Sequence, residues 1–536
     1  MFRRSMEKFS DFFKNIKKWI ENHKTIFALL VTALFVGAHI PLLMNHEVTN
    51  DEAIVWGLSK EVNLSNAYEL NSAEPHPLLW QFMLAPLSQN NLPLISMSIL
   101  SLALVVLAVF LFVRFAPFGF LAKLIFLLSS SFCYFNPIIA RDYSLIPLAI
   151  CLISLAYKSR HEKPFRYGLS LVLLSQTHFL MYGLLAVLVL GFFAEELFAK
   201  KSFSKKLLAL LLCFLPVGLS VLSSVPLVIN SFNNQAIING EATSDTEAGG
   251  ILENTIGAYF GYYVIALNVI SIVAAVIIIL NFFAANLKIG LYFLAGTGFW
   301  YYVLANIYQS YYYFDQKVTI LSLMMLLSLW LIKLEKEEKH NFLKEFVSHS
   351  EIVKILKKKV AYPAVILPCF IVMLTIPHAF VVANNEMNLA TNSSEQAAFI
   401  NKTVEDGALI IEGDIAASVF FDAATHLQVE KDVTYYDVPL DSYDDYHIKL
   451  RYDGVDDERY RKFNRLSDEA LSKLIAEASA KYEHIYYVST ILTNCKGEST
   501  DYNAELVANY ERLATLNDGK YMTNLKNVPL SFYRVK

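Results

Sequence analysis

Apolar residues along this chain gather into long runs separated by short polar breaks. Each run is about 18 to 25 residues, the length needed to cross a roughly 30 Å hydrocarbon core. The pattern predicts eleven spans, at 25–44, 92–113, 119–137, 142–158, 167–177, 179–198, 206–229, 256–283, 289–306, 317–334 and 361–382. The fifth is short for a full crossing. Ahead of the first, Phe2, Met6, Phe9, Phe13, Ile16 and Ile20 recur at helical spacing, with Arg3, Arg4, Lys8, Lys14, Lys17 and Lys18 between them. That is the pattern of an amphipathic helix lying on the cytoplasmic leaflet.

After residue 383 the pattern changes. Helix-like stretches at 393–405, 414–425 and 467–482 alternate with strand-like Ala408 to Ile411, Val433 to Tyr436 and His484 to Ser489. Alternation of this kind predicts a small α/β domain. It carries no Gly-rich loop at a strand-to-helix turn, so no nucleotide cofactor is expected. The expected fold is an α-helical polytopic membrane protein of about eleven transmembrane helices with a C-terminal extracytoplasmic α/β domain. Its parts are an interfacial helix (1–24), a transmembrane domain (25–383) and the soluble domain (384–536).

Composition agrees. Of the 536 residues 55% are hydrophobic and 18% charged, with mean hydropathy +0.40. A net charge of −4 gives no reason to expect nucleic acid as a partner. Of the five cysteines only Cys495 lies in the soluble part, so that part holds no internal disulfide. Basic residues set the orientation. The segments on one side (1–24, 114, 158–166, 200–206, 288 and 333–359) hold 25 Lys and Arg. The loops on the other side hold three, namely Lys60, Arg141 and Lys317. The expected location is the plasma membrane, with the amino terminus cytoplasmic and the carboxyl terminus extracytoplasmic.

Candidate chemistry lies on the outer side. The first outer loop, 45–91, contains Asp51 and Glu52 close to the end of the first span. A carboxylate near the bilayer is partly desolvated, which favours its use as a base; acids are also ordinary in solvated loops. Further on, Pro75 and Pro77 flank His76, with Glu74 beside it, so the imidazole is held in a stiff segment. Arg141, Asp142 and Tyr143 stand between the third and fourth spans. A guanidinium there suits a phosphate; an internal ion pair of Arg141 with Asp142 or Asp51 is the equal alternative. His178 follows Gln176 and Thr177 at the outer end of the short span, at a depth where polar groups usually face a cavity. Lys317, a rare outer cation, precedes the tenth span behind Tyr311, Tyr312 and Tyr313, where it suits an anionic head group.

These motifs in order, Asp51-Glu52-Ala53, His76-Pro77-Leu78-Leu79, Ala140-Arg141-Asp142-Tyr143-Ser144-Leu145 and Thr177-His178-Phe179, resemble the GT-C superfamily of membrane glycosyltransferases. The branch they resemble is that of the protein O-mannosyltransferases and bacterial aminoarabinose transferases. The likeness covers residues 25–335 in order and topology. It implies a polyprenyl-phosphate-linked sugar as donor, transfer outside the cytoplasm with inversion, and Asp51 as the catalytic group. The family often has His-Pro-Pro where this chain has His76-Pro77-Leu78, and an Arg near the place of Lys317. A single displacement needs one base for the acceptor proton, and a leaving phosphate needs little protonation, so one carboxylate suffices. Glu52, Glu74, His76, Arg141, Asp142, Tyr143, His178 and Lys317 are then expected to hold donor and acceptor. A divalent cation such as Mg or Mn is a possible cofactor, with Asp51, Glu52 and Glu74 as its candidate oxygen ligands. The expected acceptor is a cell-surface glycan; a lipid or protein acceptor is the variant reading. A transporter or flippase of lipid-linked saccharides is the alternative class, but those folds carry internal repeats and mid-membrane breaks. Here the polar groups cluster at the outer ends.

Overall fold

The computed structural model describes residues 15, 18–46, 48–70, 76–199, 201–241, 268–303, 314–337, 366–388, 393–412, 427–437, 442–444, 468–489, 504–515 and 525–535. The described residues are mostly helical up to residue 403 and end in a mixed sheet. Helix α1 (Lys24–Asn45) is followed by α2 (Asn50–Glu61), α3 (Leu79–Ser88) and α4 (Ile95–Phe115). Next come α5 (Phe120–Leu128), α6 (Leu145–Tyr157), α7 (Pro164–Ser175), α8 (Tyr182–Phe198) and α9 (Phe203–Glu241). The helical part closes with α10 (Asn268–Ala285), α11 (Leu287–Val303), α12 (Phe314–Glu337), α13 (Ile366–Leu374) and α14 (Ile376–Asn388).

Among the described residues four helices are long and apolar enough to cross a membrane: α1, α4, the segment Phe179–Phe198 and the segment Phe203–Leu227. A fifth is a bent pair, α5 with Ser131–Ile138, angled by 59°. Of the other predicted runs, 142–158 and 167–177 form helices of 13 and 12 residues, 256–283, 289–306 and 361–382 are partly described, and 317–334 lies within α12. The run 142–158 contributes only α6, and 167–177 contributes α7. Residues 256–267 and the predicted helices 1–14 and 414–425 fall outside the described residues.

The shortening has a physical cause. Arg141 is extended and Asp142–Ser144 forms a 3-10 turn before α6, while His178 is extended between α7 and a second 3-10 turn, Phe179–Met181. Helical backbone is given up where polar side chains are aimed inward. The bend after α5 is supported by two serines. Ser129 donates to the Phe126 carbonyl at 2.6 Å, and Ser131 to that of Thr319 at 3.0 Å. The π-turn Ser131–Phe135 follows, and the Asn136 amide reaches back to the Ser131 carbonyl at 2.8 Å. Side-chain hydroxyls replace the lost ladder bonds, which lets a helix kink inside an apolar core.

Packing is close where glycine permits it. A Cβ on Gly168 of α7 would stand 2.7 Å from the Cys213 carbonyl oxygen of α9, so only glycine lets these two helices meet at this height. At the end of α6 away from Arg141, charged groups from four elements converge. Arg160 donates to Glu195 at 2.7 Å, and Lys288 contacts both Glu195 and Glu335. Tyr157 donates to Glu335 at 2.6 Å. Nearby, Glu196 meets His161 at 2.6 Å and Lys201 at 2.8 Å. Arg160, Glu196 and Glu335 are almost wholly buried.

The C-terminal unit places α15 (Ser393–Thr403) and α16 (Asp468–Ser479) on opposite faces of a six-stranded sheet. Its strands are β1 (Ala408–Glu412), β2 (Val433–Asp437), β3 (Ser442–Asp444), β4 (Ile485–Ser489), β5 (Ala504–Thr515) and β6 (Leu525–Val535), in the order β3-β2-β1-β4-β6-β5. Strand β1 is parallel to β2 and β4; the other pairings are antiparallel. Ala408 and Ile410 pack with Ile400 of α15 and with Val404 just beyond it, while Leu409 and Ile411 pack with Ile475 and Ala478 of α16. A strand buried on both faces must be apolar throughout, as β1 is. The predicted strands at 408–411, 433–436 and 484–489 are all present.

Candidate functional site

The site is assembled from the bottom of the first loop. Thr49 caps α2: its hydroxyl accepts from the Glu52 N–H at 3.4 Å, and the Glu52 carboxylate accepts from the Thr49 N–H at 2.8 Å. This capping box puts two acids in the first turn, where the helix dipole favours them. Helical spacing then separates their fates. Glu52 turns inward and is fully buried, whereas the Asp51 side chain keeps about a third of its exposure (32%).

Glu52 is occupied on all sides. Besides Thr49 it accepts from the Ala140 N–H at 2.5 Å, and His46 lies 3.1 Å from both of its oxygens. Burial pushes its carboxyl upward, but the His46 charge and the hydrogen bonds from His46, Thr49 and Ala140 outweigh it. The net result is a carboxyl held below the usual range. The bond to Ala140 fixes the turn that carries Arg141. Ser144 supports the same turn, donating to the Asn136 carbonyl at 2.9 Å and meeting the Ser101 hydroxyl at 2.5 Å.

The Arg141 guanidinium accordingly stands 3.6 Å from the Asp51 carboxylate, and its other nitrogen is 3.4 Å from His76 Nε2. On the far side of the imidazole, His76 Nδ1 is 3.5 Å from the Asp142 carboxylate. His178 completes the group. Its ring centroid is 4.9 Å from that of His76, 4.6 Å from Tyr143 and 4.5 Å from Phe179. Six of the nine candidates therefore converge: Asp51, His76, Arg141, Asp142, Tyr143 and His178. Glu52 braces them from below. Glu74 lies outside the described residues. Lys317 falls in α12, but its side chain is not among those described. The Arg141 to Asp51 ion pair, one of the two readings open from the sequence, is formed.

Sequence reasoning did not single out His46 or the Ala140 N–H. His46 carried a signal, being an imidazole just past the first span and six residues before an acid. A backbone N–H carries none.

Of the candidate cation ligands Asp51 and Glu52 are described, and Glu74 is not. Asp51 faces a guanidinium, and the Glu52 oxygens are filled by N–H donors. A second group, His76, Asp142 and His178, has ligand-type atoms all within 4.8 Å of one another. Its chemistry is decided by a tautomer. The Leu180 N–H donates to His178 Nδ1 at 3.1 Å, so that nitrogen holds a lone pair and the ring proton sits on Nε2. A neutral His178 presents a hydrogen-bond donor to its neighbours, where a metal would need a lone pair.

No protein-family model matches the chain, and no match is found among curated proteins or solved structures.

Proposed function

We propose that this chain is an integral membrane glycosyltransferase that moves a sugar from a polyprenyl-phosphate carrier to an acceptor outside the cytoplasm, with inversion. One observation carries this reading. Asp51, His76, the adjacent pair Arg141 and Asp142, and His178 come from four separate stretches of sequence, yet they form one contiguous cluster with a reachable carboxylate beside a guanidinium. The GT-C resemblance rests on the same motifs. In this reading the helical part makes eleven crossings, with the amino terminus inside and the carboxyl terminus outside, as the 25 to 3 asymmetry of basic residues favours.

The chemistry follows from the placement. Asp51, more accessible than Glu52, takes the proton of the acceptor hydroxyl as that oxygen attacks the anomeric carbon. Arg141 neutralises the charge that develops on the leaving phosphate. Glu52 and His46 hold the loop in register. The acceptor is a surface glycan, and the C-terminal unit helps to hold it: Leu427 packs against the buried cluster of Ala53, Ile54 and Leu58 on α2.

The test is incubation of the purified chain in detergent with a panel of polyprenyl-phosphate sugars, following release of free polyprenyl phosphate. Release from one donor, alone or after addition of cell-envelope extract, supports the reading. No release under either condition rejects it in favour of the transporter reading.

A further inference from the structure

We propose that the end of the helical part opposite the Asp51 cluster holds the head group of an anionic membrane lipid, bound through its phosphate by Arg114, Lys24 and Lys123. These three cations come from α4, α1 and α5. On the orientation proposed above this end lies in the cytoplasmic leaflet. The inference uses that orientation and none of the transfer chemistry.

A cleft of about 420 Å³ opens where the chain enters α1. Residues 18–22 are helical, His23 interrupts, and α1 begins at Lys24. The corner is fixed locally. His23 Nδ1 donates to the Trp19 carbonyl at 3.0 Å, and the two rings stack with centroids 5.1 Å apart. Lys24, Thr25, Ile26 and Arg114 line the cleft, with Glu21 as the one carboxylate among its lining residues. Arg114 Nε donates to the Thr25 hydroxyl at 2.9 Å, and its guanidinium lies 4.8 Å over the Phe115 ring. These contacts hold the guanidinium plane. Its terminal nitrogens make no bond among the described residues. Lys123 Nζ donates to the Val113 carbonyl at 2.6 Å, which sets a third charge against Lys24 and Arg114. Among the described residues no ion pair joins a carboxylate to any of the three.

Like charges gathered without a counter-ion repel one another. A phosphate in the cleft removes that repulsion, and a guanidinium with two free nitrogens receives it through parallel N–H donors. Depth favours a lipid as the source. The exposed aromatics Trp19, Phe115 and Phe120 stand at this same end, and such rings gather at the head-group level. Ile26 lines the cleft and is exposed, and beside it Phe27 of α1 meets Phe120 of α5 edge-on at 5.8 Å. The cations therefore adjoin apolar surface suited to an acyl chain, which a soluble anion would not use. Basic pockets between transmembrane helices on the cytoplasmic side take anionic head groups in this way. Lys205 of α9 is the useful comparison. It lies on the same side of the membrane, is exposed, and makes no contact among the described residues.

The test titrates the purified full chain in non-ionic detergent with phosphatidylglycerol or phosphatidylcholine and counts bound lipid by native mass spectrometry. The wild type is expected to retain phosphatidylglycerol in preference to phosphatidylcholine. Arg114→Gln should weaken that binding by at least about 10-fold, as for loss of charge-assisted hydrogen bonds, and Lys24→Gln by about 5-fold. Lys205→Gln should bind as the wild type does. If Arg114→Gln fails to accumulate, Lys24→Gln decides, because the Lys24 side chain is exposed and makes no bond among the described residues. Excess inorganic phosphate at constant ionic strength should leave the lipid bound. Its displacement would assign the cleft to a soluble phosphate and overturn the lipid. An equal loss in Lys205→Gln, which would mean diffuse surface charge, overturns the site. So does the absence of a preference for phosphatidylglycerol, or unchanged binding in both Lys24→Gln and Arg114→Gln. Each of these results leaves the transferase reading standing, since no sugar transfer is measured.

Discussion

The Ala140 N–H donates to Glu52 Oε1 at 2.5 Å, joining positions 88 residues apart. That bond ties the first outer loop to the turn carrying Arg141 and Asp142. It makes the second acid of the Asp51-Glu52 pair a brace for the first.

Removing the brace should be costly. Glu52→Ala leaves the buried N–H groups of Thr49 and Ala140 and the His46 ring facing an apolar gap. Hydrogen bonds to a charged group are worth about 1.5–3 kcal/mol each, so a loss of roughly 3 kcal/mol is expected. Thermal unfolding in detergent measures it. Because the folded Glu52 carboxyl lies below its unfolded value of about 4.3, its contribution is complete above that pH. It fades as pH falls through the folded value. Glu52→Gln should accordingly flatten the acid side of the stability curve; an unchanged acid side would refute the assignment.

At the opposite end of the helices, Lys288→Met should destabilise by about 3–5 kcal/mol, since it leaves Glu195 and Glu335 buried with less compensation. Adding Glu335→Gln should recover part of that loss, because the two residues share one network. Strict additivity in the double mutant would show that they act independently.

Gly168→Leu should lower stability by about 1–3 kcal/mol through overlap with the Cys213 backbone on α9. Gly218→Ala on α9, where a Cβ meets nothing within 4 Å, is the control and should unfold with the wild type. Equal midpoints for both variants would contradict the close approach of α7 to α9.

Leu427→Asp should loosen the C-terminal unit from the cluster around Ala53 and Leu58. The expected outcome is loss of sugar transfer to polymeric acceptor, with transfer to a small acceptor, read as release of free polyprenyl phosphate, retained. Equal loss of both would assign Leu427 to folding instead.

Much of this was legible in the sequence, and the failures are physical. Ala408 to Ile411 could be read as a buried strand because four apolar residues in a row suit a position covered on both faces. Strand β5 could not, because its stretch from Ala504 to Thr515 is rich in Ala, Glu, Leu and Arg. Those residues favour helix; pairing with β6 decides the outcome, a tertiary override of local preference. The convergence of Asp51, His76, Arg141 and His178 was expected from motif order alone. The division of labour between Asp51 and Glu52 was not, since adjacent acids look alike until helix phase sends one inward. The buried network of Arg160, Glu195, Lys288 and Glu335 was also hidden. Lys288 and Arg160 read as cytoplasmic surface charge, and only packing brings them together.

The central claim is that Asp51 is the working carboxylate of a lipid-linked sugar transferase. Its most direct test compares release of polyprenyl phosphate by the wild type, Asp51→Asn and Lys60→Gln, with a donor that the wild type turns over. Lys60→Gln changes a charge on the same helix away from the cluster and should keep the wild-type rate. The account predicts that Asp51→Asn loses at least about 100-fold in rate, the usual contribution of a positioned base, while its thermal midpoint stays close to the wild type. Wild-type release by Asp51→Asn would contradict it.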